Sequence, residues 1–205
     1  YLNVFIYKMF HASAADISLM VSASAVAATL TTILVGALTD RVGKRKIFIC
    51  GGYLVWGITI FAFGLVRMDL LTPLCGGTVQ AAALGVNLVI VLDCVMTFFG
   101  SAANDAAYNA WLTDAGDDTN RGKIEGINAM MPLVAILVVF GGFMGFSLTE
   151  ASSWTIIFSI IGAVVLIVGA LGIFLIDEVP SGRAAEEQAK ASDSHLEKLL
   201  YSFRP

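Results

Sequence analysis

Gly36-Ala37-Leu38-Thr39-Asp40-Arg41-Val42-Gly43-Lys44-Arg45-Lys46 joins two apolar runs, Ile17 to Thr39 and Ile47 to Val66, and neither run carries a charged residue. As a helix, each run is about 30 Å long or more, the thickness of a bilayer core. Four cations, Arg41, Lys44, Arg45 and Lys46, crowd the short reversal between them. Loops rich in Lys and Arg stay in the cytosol, so this hairpin orients both neighbouring spans. Gly36 and Gly43 are expected to permit close helix approach and a tight reversal. Asp40 is a lone carboxylate at the membrane boundary, placed to pair with the nearby cations or to accept from helix N-terminal amides.

Glycine, three residues, Asp-Arg, one residue, glycine, one residue and two basic residues resembles the loop signature of the major facilitator superfamily of secondary transporters. Gly36, Asp40, Arg41, Gly43, Arg45 and Lys46 all match it. The resemblance implies that this loop joins the second and third spans and acts in the switch between outward- and inward-facing states. The plainer alternative is an ordinary basic hairpin, which occurs in most multispan proteins.

Composition bounds the reading independently. Of 205 residues 58% are hydrophobic and only 14% charged, with a mean hydropathy of +0.83. Soluble domains are about a quarter charged, so this chain could not cover a water-facing surface. Continuous apolar runs suit helices; barrel strands would alternate. The expected fold class is therefore an all-α membrane protein, with a stub of span one followed by five full transmembrane helices. A net charge of −4 argues against nucleic-acid partners. Cys50, Cys75 and Cys94 lack metal-ligand spacing and read as small packing residues.

Tyr1 to Phe10 covers half a bilayer and reads as the tail of a truncated first span, so the sequence is expected to be a fragment at both ends. Span two is expected over Ile17 to Leu38, capped by Ser13 or Asp16. Span three runs Ile47 to Val66, and a turn follows around Arg67, Asp69 and Pro73. Span four occupies Ala82 to Tyr108, and span five Ile124 to Phe146 with a kink near Pro132. Span six runs Trp154 to Ile176, with Trp154 as an outer interfacial anchor. This topology puts ten of the twelve Lys and Arg residues in the cytosol and leaves only Lys8 and Arg67 outside. Residues 1–178 form the membrane bundle. Residues 179–205 form a cytoplasmic linker, which the resemblance matches to the approach to a second, carboxyl-terminal half absent from this sequence. The expected location is the plasma or inner membrane, with 39–46 and 177–205 cytoplasmic.

Span four carries the best candidates for transport chemistry. Asp93 lies about 16 Å from a helix start at Ala82, near mid-membrane, where a carboxylate usually faces protein or a water-filled cavity. Asp93, Thr97, Gly100, Asn104 and Tyr108 fall on one α-helical stripe. They are the candidates for a proton or sodium ion and for a polar substrate. Asp105, Asp114, Arg121 and Glu125 are candidates for a cytoplasmic gate, with Asp105 placed to pair with Arg121 or the basic loop. Gly141 and Gly145 read as a helix-contact motif.

No catalytic constellation appears, since the only histidines are His11 and His195 and no His-Glu-x-x-His pattern exists. Resident cofactors and metals are not expected, and the partners are the bilayer, a small solute and the second half. No Lys or Arg occurs between Arg67 and Arg121, and Pro132 follows Met131 where drug/proton antiporters carry Gly-Pro. These departures favour uptake over export. Within the superfamily, Tyr108 to Gly126 and the Leu200 to Pro205 ending resemble cation-coupled glycoside and sugar symporters. The expected function is alternating-access transport of a small polar solute, a sugar in that resemblance, driven by protons or sodium. The rival readings are a drug or metabolite exporter and a transport-inactive receptor or scaffold. Trp56, Tyr53 and Trp111 can stack on a sugar ring, although such residues more often pack.

Overall fold

The structure is a computed structural model and describes residues 1–116 and 120–177. The linker expected over 179–205, and Asp117 and Asp118 of the turn into span five, lie outside the described residues. Among the described residues every regular element is helical: α1 (Leu2–Phe10), α2 (Ala14–Val42), α3 (Arg45–Phe63), α4 (Met68–Cys75), α5 (Thr78–Gly100), a π-helical segment (Ser101–Tyr108), α6 (Asn109–Ala115), α7 (Arg121–Phe143) and α8 (Ala151–Leu175). Thr78 to Ala115 is one continuous rod, so five helices are long and apolar enough to cross a bilayer. Their outward faces expose Leu30, Ile33 and Leu34 on α2 and Leu137 on α7. Such faces require lipid rather than water, and the chain is an integral membrane protein.

Local chemistry sets the ends of α2. Ser13 Oγ accepts the Asp16 amide at 3.2 Å while the Asp16 carboxylate accepts the Ser13 amide at 2.8 Å, a reciprocal capping box. Ser13 is therefore the cap. At the other end Gly43 adopts φ 67°, a left-handed conformation that costs other residues strain, and its amide bonds Thr39 O at 2.9 Å. The reversal is thus only Gly43-Lys44. Asp40 and Arg41 lie in the last turn of α2, and Arg45 and Lys46 open α3.

α3 packs most extensively on α8. A Cβ on Gly57 would stand 2.6 Å from Leu166 Cγ and 3.1 Å from its backbone nitrogen, so this close crossing requires a glycine. The aromatic core lies at the end of the bundle remote from the reversal, where Phe5, Phe10, Phe63, Trp154 and Phe158 are buried together. Trp154 is 1% exposed, its ring 5.2 Å from Phe5 and its indole N–H bonded to Leu148 O at 3.0 Å. The interfacial anchor expected there is instead a core residue, because the protein supplies both the apolar contact and the acceptor that an interface would offer.

Two further differences concern α4 and the pair Gly141 and Gly145. The turn expected after span three contains the short helix α4, opened by a bidentate pair between Arg67 and Asp69 at 3.0 Å. α7 runs through Pro132 as a single helix and buries none of its residues. A Cβ on Gly141 or Gly145 would meet nothing within 4 Å, so the helix-contact motif read there makes no contact among the described residues.

Candidate functional site

The α2–α3 reversal brings three charged groups together. Arg45, in the first turn of α3, has a side chain only 6% exposed. Its Nη2 donates to Asp40 Oδ1 on α2 at 3.1 Å, and its Nε stands 2.8 Å from Asp114 Oδ2 on α6. A buried guanidinium is tolerated only when its charge is paired, and here carboxylates from two different helices pair it. Arg41 is exposed and Lys46 half-buried at the same end. Gly36 departs from the expected close contact, since a Cβ there would meet nothing within 4 Å. Its carbonyl instead accepts the hydroxyl of the buried Thr39 at 2.9 Å.

The other gate candidates do not join this cluster. Arg121 pairs with Glu125 along α7 at 2.9 Å, and both are exposed. Asp105 forms no ion pair among the described residues; its Oδ1 accepts Asn104 Nδ2 at 3.1 Å. The pairing of Asp105 with Arg121 or the basic hairpin is therefore not observed. Asn128 of α7 reaches Asn109 Oδ1 at 3.4 Å beside it.

Near the middle of the long rod, Asp93 is 7% exposed. Its Oδ2 accepts a hydrogen bond from Ser24 on α2, and the Ser24 oxygen is also 2.9 Å from Met20 O in its own helix. A carboxyl in this position needs a partner, because neither lipid nor apolar side chains can replace its water. Ser24 was not singled out by sequence reasoning. Its only signal was membership of a Ser- and Ala-rich helix, a pattern shared by Ser18 and Ser22.

The expected polar stripe is divided. It assumed α-helical spacing from Asp93 to Tyr108, but Ser101–Tyr108 is π-helical, and the Asn109 amide bonds Asn104 O five residues back. Each π turn holds about one residue more than an α turn, and one residue is worth about 100° of rotation. Asp93 accordingly meets α2, whereas Asn104 meets α3, where Tyr53 Oη donates to Asn104 Oδ1 at 3.1 Å. Thr97 is half-buried, and its carbonyl accepts the Ser101 amide.

α3 holds the π segment closely. A Cβ on Gly52 would lie 2.7 Å from Ala103 Cβ and 3.2 Å from Phe99 O. Thr31 of α2 is 1% exposed, and its hydroxyl has no hydrogen-bond partner among the described residues; the same holds for the indole nitrogen of Trp56. Such orphans are uncommon in packed protein.

Tyr108 stacks on Trp111 at 6.1 Å and 26°, and Trp111 Nε1 donates to Asp177 O at 3.0 Å. A cavity of about 230 Å³ lies between α3, the π segment and α8, bounded by Tyr53, Tyr108, Ile49, Cys50 and Gly169. Trp56 packs on Gly100 and Tyr53, and of the three aromatics considered for sugar stacking Tyr53 alone lines this cavity. Among the described residues no group of three or more His, Cys, Asp and Glu gathers at a metal-binding distance.

The family model of the Major Facilitator Superfamily matches residues 1–204. No curated protein and no solved structure matches the chain.

Proposed function

The chain belongs to the major facilitator superfamily, and from that premise we propose that its bundle forms one half of a transporter for a small polar solute, a sugar, coupled to protons or sodium. The observation that carries the coupling is Asp93, a carboxyl inside a membrane-spanning rod whose one hydrogen-bond partner among the described residues is Ser24 on a second helix. Carboxyls inside spans that face protein mark ion pathways and proton relays, and this one is placed to take up a proton or, with added ligands, a sodium ion. Either event changes the contact between α2 and α5. In alternating access, two helical bundles rock about a site at mid-membrane. Arg45 with Asp40 and Asp114 then acts as a latch on the cytoplasmic side, tying the α2–α3 hairpin to the end of the long rod in one state and releasing it in the other. Arg41, Gly43 and Lys46 complete the switch segment, with Arg121 and Glu125 at the neighbouring mouth.

The departures from antiporter patterns noted in the sequence support uptake rather than export. The test is uptake of labelled glucose, lactose and sucrose by the full-length protein in liposomes, under an inward proton or sodium gradient. Gradient-dependent accumulation of one of them supports the reading. Equilibration that ignores both gradients overturns the coupling, and absence of flux for all three overturns the sugar assignment.

A further inference from the structure

We propose that the cavity at the end of the bundle remote from the basic reversal seats one acyl chain of a zwitterionic phospholipid, whose headgroup meets the Arg67–Asp69 pair at its rim. The proposal goes beyond transport and needs only the membrane-embedded bundle. The cavity, of about 360 Å³, lies between α1, the end of α3 and the starts of α4 and α8. Its floor is Phe5, Phe63 and Trp154, all buried, with Met9 beside them. The uncharged polar side chains that line it are already partnered. The Trp154 indole donates to Leu148 O at 3.0 Å, and the Thr155 hydroxyl to Gly64 O at 3.3 Å. Such a space suits an apolar body and offers a water few partners.

The charged rim lies just past Phe63, the last residue of α3, so charge stands at the end of a span and the aromatic floor within it. Arg67 Nε and Nη2 donate to the two Asp69 oxygens, each at 3.0 Å, and Nη1 makes no hydrogen bond among the described residues. The bond from Arg67 holds the Asp69 carboxyl below its usual range, so both charges are present.

A rim of one cation and one anion matches a head that carries both signs, with its phosphate on Nη1 and its ammonium over Asp69. A purely anionic head would meet Asp69 as a like charge. The surroundings select a lipid over a water-soluble occupant. Leu65, Leu70 and Leu74 are all exposed around this connection, an apolar surface suited to the boundary between headgroups and chains.

The test uses the full-length protein in dodecyl maltoside and a phosphatidylcholine with a diazirine at the end of one acyl chain, its crosslinks located by mass spectrometry. Labelling at Phe5, Met9 or Phe63 is expected to exceed that at Leu137, exposed on α7, by at least about fivefold. Equal labelling shows surface lipid only and overturns the site. Ala151→Trp, which fills the cavity from α8, is expected to cut the labelling at Phe63 about tenfold, and unchanged labelling overturns the seat. Competition on the parent protein is independent of how that variant folds. Unlabelled phosphatidylcholine is expected to displace the probe at about threefold lower concentration than phosphatidylglycerol, and equal potency overturns the headgroup assignment. Asp69→Asn is expected to erase that preference; a preference that persists overturns the part given to Asp69.

Discussion

Arg45 Nε and Asp114 Oδ2 stand 2.8 Å apart, joining the first turn of α3 to the far end of the long rod, with the arginine side chain almost wholly buried. Asp40 approaches the same guanidinium from α2 but is itself 54% exposed. The two carboxylates therefore have different energetic weight.

Asp114→Asn is expected to lower stability by about 1–3 kcal/mol, because the buried guanidinium loses the less exposed of these two carboxylates. Thermal unfolding of the detergent-solubilised full-length protein measures this. The double change Arg45→Met with Asp114→Leu is expected to recover most of the loss, since it removes the two less exposed charges together and leaves Asp40 to solvent. A double variant that adds both single losses would show that the pair does not interact.

Asp40→Ala is expected to change stability by less than about 1 kcal/mol, as solvent screens its share of the pair. If the latch takes part in the transport cycle, the variant slows transport while solute affinity stays near that of the parent. Lost affinity with a normal rate of exchange would contradict that role.

Ser24→Ala removes the hydrogen bond to Asp93 and leaves the carboxyl without its partner. Both this variant and Asp93→Asn are expected to alter the dependence of uptake on external pH or sodium. Asp93→Asn should abolish that dependence, and Ser24→Ala should displace it. Ion dependence unchanged in both variants rules out coupling at this pair.

Two glycines give opposite expectations. Gly52→Ala places a methyl group against Ala103 and a backbone oxygen, and is expected to destabilise by about 1–3 kcal/mol. Gly36→Ala meets open space and should stay within about 0.5 kcal/mol of the parent, despite its place in the family signature. Midpoints of thermal unfolding for the two variants decide the comparison.

The order of spans was legible from the apolar runs between charged turns, because a bilayer sets both the length and the polarity of what crosses it. The charges around the reversal pointed to the segment that holds Arg45, although not to Asp114 as the partner that buries with it. Rotation about a helix axis was less accessible. The stripe from Asp93 to Tyr108 depended on uniform spacing, and nothing in Ser-Ala-Ala-Asn-Asp-Ala-Ala-Tyr marks a wider turn in advance. Small residues there allow α3 to come close, and that tertiary contact accompanies the π geometry. Trp154 misled for a related reason, since a tryptophan at a span end suits both an interface and a core, and only its neighbours decide. Ser24 could not be distinguished from other serines until α2 and α5 were placed side by side.

The link between α2 and α3 has a mechanical consequence. With only Gly43 and Lys44 between the two helices there is no slack in the connection, so a tilt of one drags the other as the arms of a single lever. Lengthening that link with flexible residues should leave every buried contact in place and yet disconnect the two arms, separating the motion of the hairpin from its assembly.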